Sequence, residues 1–178
     1  MVSALMFVVV SAMLSLQTFV LNGHVKQRRR EIIFTQTVYS VKLLARSMQD
    51  ASFIRRPDIG QVNAKEVQGY YNTNRLDNTP LQAGAQSYFL YCVNADGNKI
   101  YKYTGTVPEP LTFFPFYCGK PAEASQTREL LVDAAAGSLF IDWNFSRPSA
   151  SLLHVDYVVR SGSEELRGSS DLHVQQSL

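Results

Sequence analysis

Charge is missing from the first twenty-one residues, Met1 to Leu21, which read MVSALMFVVVSAMLSLQTFVL. That is enough for a membrane-spanning helix, which needs about 20 mostly apolar residues. The polar interruptions are Ser3, Ser11, Ser15, Gln17 and Thr18. Short hydroxyls and a lone amide are tolerable there, because they bond within the helix or to a neighbouring one. Proline is missing before Pro57, and Gly23 is the only glycine in the first fifty-nine positions. Nothing except Gly23 therefore interrupts a helix before the proline, where the preceding residue must leave the helical region.

Cysteine is scarce, with Cys92 and Cys118 alone. An even count in a small domain outside the cytosol favours a disulfide between them; two buried thiols are the alternative arrangement. Two isolated cysteines with distant histidines have no metal-ligand spacing, so no metal site is expected. The other groups that carry chemistry are equally thin. The three histidines, His24, His154 and His173, form no H-E-x-x-H array. Gly-x-Ser-x-Gly elbows and phosphate-cradling glycine loops do not occur. His154 and Asp156 share one strand face, which reads as a polar face turned to solvent rather than part of a catalytic triad. Asn94, Asp96 and Asn98 alternate as in a calcium loop, but the distant Glu of such a loop is lacking, and a simple turn is expected. Trp143 and the aromatic residues near Phe113 read as core rather than as a sugar platform. No enzyme activity and no cofactor are expected.

Net charge is only +2, and the basic excess sits largely at Lys26, Arg28, Arg29 and Arg30. The remainder is close to neutral, so no nucleic-acid surface is expected. A basic collar after an apolar helix faces solvent or lipid headgroups.

The apolar rhythm resumes after the collar at Ile33, Val38, Val41, Leu44, Met48 and Ala51, with Thr37 bridging the one long step. Gln36, Lys42, Arg46 and Gln49 lie on the other side. This is one apolar stripe on a helix. One helix is expected from about Met1 to Ile54, possible bend at Gly23 included. Its half 1–24 is apolar all round, and its half 25–56 is apolar on one side. Residues 57–178 follow as one small domain with a modest core.

Strand signals dominate that domain. Residues 57–86 are mostly loop, with a short strand near Val67–Tyr71. Ser87–Val93 and Lys99–Thr104 flank an Asp-Gly turn, a strong hairpin signal. Pro108, Pro110 and Pro115 make the next segment irregular, and its Phe113, Phe114, Phe116 and Tyr117 are expected to cover a sheet edge. Around Gln126–Val132, two turns of helix and a strand are equally compatible. Leu139, Ile141, Trp143 and Phe145 alternate with polar residues, as do Leu153, Val155, Tyr157 and Val159. Ser146–Ala150 and Ser161–Ser163 are turns, and Leu172 and Val174 mark a final short strand.

The stretch Met-Val-Ser-Ala-Leu-Met-Phe-Val-Val-Val-Ser-Ala-Met-Leu at 1–14, followed by an amphipathic helix, a cysteine pair and a C-terminal antiparallel sheet, resembles type IV pilin-like proteins. It is most similar to minor pilins and type II secretion pseudopilins over about the first 55 residues. The match begins after the family's Phe-Thr-Leu-x-Glu start, so that start and its basic leader are expected upstream of Met1. The resemblance implies an α+β, pilin-like fold with a long N-terminal helix packed on a small antiparallel β-sheet. It implies a single-pass protein of the bacterial inner membrane with its C-terminal domain periplasmic, later built into a pilus or pseudopilus. Its partners would be inner-membrane lipid and other pilin-like subunits, met through Met6, Val8, Val9, Met13 and Leu16 of the assembly helix. The basic collar alone favours a cytoplasmic position for residues 26–178; under the resemblance the leader sets the opposite topology. A signal-anchored extracytoplasmic domain that never polymerises is the alternative.

Overall fold

The computed structural model describes residues 2–71, 86–107, 118–119, 126–135, 139–162 and 164–174, with side chains from residue 10 onward except at 86 and 107. One helix, α1 (Val2–Asp50), precedes eight antiparallel strands. At 1.5 Å per residue it is about 74 Å long. Gly23 does not interrupt it.

The expected helix end at Ile54 is corrected, because Phe53–Arg56 is a strand, β1. The chain is captured as soon as it leaves Asp50: Ser52 donates its backbone N–H to Tyr70 O at 2.9 Å, and Phe53 pairs with Tyr70. Ile54 is fully buried, and the tertiary pairing outweighs the helical phase that Ile54 shares with the stripe.

A second correction concerns the single sheet. There are two. The first has five strands in chain order: β1, β2 (Glu66–Tyr70), β3 (Gln86–Val93), β4 (Lys99–Val107) and β5 (Gln126–Asp133). The second holds β6 (Phe140–Ser149), β7 (Leu152–Ser161) and β8 (Glu164–His173). The segment open to helix or strand is thus strand β5. β6 runs through the expected turn at Ser146–Ala150. Pro148 is tolerated because β6 is a sheet edge and its pairing with β7 is irregular between Ser146 and Ser149. The final strand is ten residues rather than short; its polar sequence is recruited by continuous pairing with β7, from Leu152↔His173 to Ser161↔Glu164. The proline-rich segment with Phe113, Phe114, Phe116 and Tyr117 lies outside the described residues.

The outer edge of β6 is tied to the first sheet at both ends. Ala64 and Phe145 exchange backbone hydrogen bonds of 2.9 and 2.8 Å, and Ile141 donates to Gly97 O at 2.6 Å. Gly97 has φ +65°, and the Phe140 ring fills the space a Cβ would need. Buried Arg147 donates through Nη1 to Ile54 O (2.7 Å) and Pro57 O (3.2 Å), and through Nη2 to Ala150 O (3.4 Å). Desolvation lowers its pKa, opposed by Asp58. It fastens the exit of β1 to the second sheet.

α1 lies over both sheets and closes one core. Ile33, Val41, Leu44, Met48 and Ala51 meet Val67, Phe89, Tyr91, Ile100 and Val132 of the first sheet and Ile141, Trp143, Phe145, Val155 and Val159 of the second. Thr37, Ser40 and Ser47 are buried on the same face. Thr37 and Ser40 return their hydroxyls to Ile33 O and Gln36 O, which lets a polar residue sit against the sheet at little cost. Ser47 bonds the Tyr91 hydroxyl at 3.0 Å, and burial pushes the Tyr91 phenol up to about 12. Gln36, Lys42, Arg46 and Gln49 all face solvent, as the stripe requires. The other face of β3 and β4 forms a second cluster, in which Tyr70, Tyr88, Leu90, Tyr101 and Tyr103 surround Cys92.

Leu44 has no exposed surface. Leu44→Ala is expected to cost about 3 kcal/mol, read as a lower urea midpoint at unchanged slope. An unchanged midpoint would remove Leu44 from the core.

Candidate functional site

The surface that the fold leaves unexplained is the first half of α1. Eight large apolar side chains on it stand exposed: Val10, Met13, Leu14, Leu16, Phe19, Val20, Leu21 and Val25. Phe19 reaches 79% exposure. At 100° per residue they spread over about two thirds of the circumference, with Gln17 among them. The remaining arc carries Ser11, Ser15, Thr18 and Asn22. Ser15 and Thr18 donate their hydroxyls to Ser11 O (2.8 Å) and Leu14 O (2.7 Å). This small-residue arc is in phase with the sheet-facing side of the second half. The apolar arc is in phase with exposed Ile32 and Tyr39.

Met13 and Leu16, two residues of the expected assembly helix, stand on this exposed surface. Met6, Val8 and Val9 are helical, and their side chains lie outside the described set. Among the described residues, no helix is long and apolar enough to cross a membrane. The expected span Met1–Leu21 draws much of its apolar character from residues 1–9.

The collar follows. Lys26, Arg28 and Arg29 are exposed, and Arg30 forms an ion pair with Glu164 at the start of β8. Gln27 donates to Glu31 at 3.2 Å. Between this stretch and the β7–β8 turn lies an open groove of about 1100 Å³. Phe19, Val20, Lys26 and Arg29 line its helix side, and Ser161, Gly162 and Glu164 its strand side.

The two cysteines are joined: Cys92 on β3 is bonded to Cys118, with Cα atoms 5.9 Å apart. Gly119 donates its N–H to the Tyr103 hydroxyl (3.0 Å) and accepts from Arg128 Nη1 (3.0 Å), fixing the far end of the bridge beside β4 and β5. The Asn94–Asn98 segment is a hairpin turn built on Asn94. Its Oδ1 accepts from the backbone N–H groups of Asn98 (3.0 Å) and Lys99 (2.8 Å), and its Nδ2 donates to Asn98 Oδ1 (2.9 Å). The alternating oxygens are thus spent on the turn itself. Among the described residues no cluster of three metal-binding side chains occurs.

His154 is held between two carboxylates on the outer face of the second sheet, Nδ1 to Asp171 at 2.6 Å and Nε2 to Asp156 at 3.2 Å. With both ring nitrogens engaged, neither is left to take a serine proton. The Asp171 hydrogen bond raises its pKa, against partial desolvation and with help from Asp156. Asp171 was overlooked because only the β7–β8 register, His154↔Asp171, brings it there. Comparison of the chain with protein-family models, with curated proteins and with solved structures finds no match.

Two outcomes follow. Removing the disulfide by Cys92→Ser with Cys118→Ser should cost about 3 to 4 kcal/mol for a loop of this length, read by urea melts against the oxidised parent; equal midpoints would sink it. The His154 clamp has a raised folded pKa, so its contribution is present below the unfolded value near 6.5 and is lost as pH rises through the folded one. Asp171→Asn should therefore destabilise more at pH 5 than at pH 8 and lower the His154 midpoint in an NMR titration. A midpoint unmoved by Asp171→Asn would refute the clamp.

Proposed function

We propose that this protein is a non-enzymatic assembly subunit of the type IV pilin-like class, a subunit of a type IV pilus or a type II secretion pseudopilus. The first half of α1 stores it in the bacterial inner membrane as a single-pass anchor, with the strand domain on the periplasmic side. The same half then leaves lipid and packs against the N-terminal helices of other pilin-like subunits.

The observation that carries this reading is the apolar helix that runs without a break into the domain core. Eight exposed apolar side chains on one helical segment form a patch that a lone soluble domain does not keep. A flexibly tethered anchor needs no such continuity; a subunit whose helix must hold its domain at a set angle in a filament does. The hydroxyls of Ser15 and Thr18, returned to their own helix, suit an apolar medium. Ser11 and Ser15, four residues apart, offer the small-residue spacing at which helices approach closely in membranes. The resemblance at residues 1–14 points to the same class.

A charge at Met13 tests it. Met13→Lys places an ion in the anchor at a cost of at least about 3 kcal/mol. Membrane insertion or capture of pilin-like subunits by a crosslinker at Leu16 should fall at least tenfold, and the strand domain should melt as before. Unchanged crosslinking, or crosslinks to none but lipid in a cell that assembles filaments, would favour the anchored domain that never polymerises.

A further inference from the structure

The groove between α1 and the β7–β8 turn joins two chemistries. Phe19 and Val20 give it an apolar wall at one end, and Lys26, Arg29 and Arg30 give it cations at the other. Lys26 lies about 10 Å along the helix axis from Phe19. One carboxylate, Glu164, stands among these cations and is paired with Arg30, so the groove keeps a net positive charge. Its volume, about 1100 Å³, exceeds what a phosphate ion alone requires. Gly23 lines it, and a Cβ built there meets nothing within 4 Å, so a side chain added at this position would enter open space beside the groove. The collar also holds Arg28, which is not part of the lining.

We propose that this groove binds one anionic phospholipid, with acyl chain against Phe19 and Val20 and phosphate beside Lys26 and Arg29. The site rests on the membrane-stored helix argued above. It differs from the diffuse attraction of any basic collar for an acidic membrane, because it assigns unequal roles to neighbouring cations. Arg28 contributes only to the diffuse field, whereas Lys26 contacts the headgroup. The same site gives the chain a lipid to release when its helix leaves the bilayer.

The test uses the full-length protein in detergent micelles, titrated with phosphatidylglycerol or phosphatidylcholine and read by native mass spectrometry. The first phosphatidylglycerol should bind at least about fivefold more tightly than phosphatidylcholine, the increment of one cation near an anionic lipid. Lys26→Gln should remove that preference and Arg28→Gln should leave it within twofold. Gly23→Leu, which adds an apolar side chain to the groove lining without changing charge, should weaken phosphatidylglycerol binding as Lys26→Gln does. Equal losses from Arg28→Gln and Lys26→Gln, or no effect of Gly23→Leu, would overturn the groove site in favour of a diffuse collar. Displacement of the lipid by inorganic phosphate at millimolar concentration would overturn it in favour of a free-anion site. Flotation with phosphatidylcholine vesicles separates the two levels: a chain that floats but shows no lipid preference loses the groove alone. One that floats with neither lipid loses the membrane reading as well.

Discussion

The burial of one helix stripe, Ile33 to Ala51, holds the rest of the molecule together. Along β6 the two sheets are joined by the bridge at Ala64 and Phe145, the bond from Ile141 to Gly97, backbone bonds of Arg147 with Gly60 and Gln61, and the Arg147 side chain on Ile54 O. What makes them one core is the cluster in which Leu44 and Met48, with no surface left to water, are buried together with residues of both sheets. Each such side chain contributes on the order of 2 to 3 kcal/mol by transfer alone. Thr37, Ser40 and Ser47 set how closely the helix can lie. Larger residues there would lift α1 from the sheets and open voids beneath Leu44, while alanines would strand the Tyr91 hydroxyl without its partner.

The two halves of the helix have different surroundings. In its second half, water lies on one side and the core on the other, and the pattern is amphipathic. In the first half, the described residues leave the side chains from Val10 to Val25 largely exposed, yet the apolar arc is wider. A sequence under selection only for solubility would not keep Phe19 and Leu16 outside. The change falls at Gly23–Arg30, where the charges begin, along a helix that continues without a break.

The α+β class and most strands were legible from period alone. The alternation of Leu139 to Phe145 and Leu153 to Val159 predicts the buried faces correctly, and Asp96-Gly97 marks the hairpin. Phe53–Arg56 was not legible, since Ile54 fits the helical phase and only Tyr70, distant in sequence, makes it a strand. Division into two sheets was hidden for a related reason: pairing partners are a property of tertiary register, which periodicity does not encode. Arg147 gave no signal at all. A buried guanidinium donating to three backbone oxygens looks, in sequence, like any arginine in a polar turn. β8 read as a short strand because an outer edge strand with one face in water needs few apolar residues. The cysteine pair was legible from its count, and the exposed helix from its lack of charge. The lipid groove was not, because its two walls are some 140 residues apart.

The direction of the free half follows from how it is held. Among the contacts that bear on it are the buried stripe and the Arg30–Glu164 pair at its base. Glu164 is largely exposed, and such pairs contribute about 0 to 1 kcal/mol, so the ion pair trims the angle rather than sets it. The stripe sets it, through side chains that occupy fixed places in a close-packed core. A force applied at Phe19 is then transmitted along continuous backbone hydrogen bonds to Leu44 and Met48, and resisted by both sheets together. A hinge at Gly23 would have dissipated that force. With the helix unbroken at Gly23, a partner that docked onto the apolar half would also orient the strand domain, which is the property the proposed assembly requires.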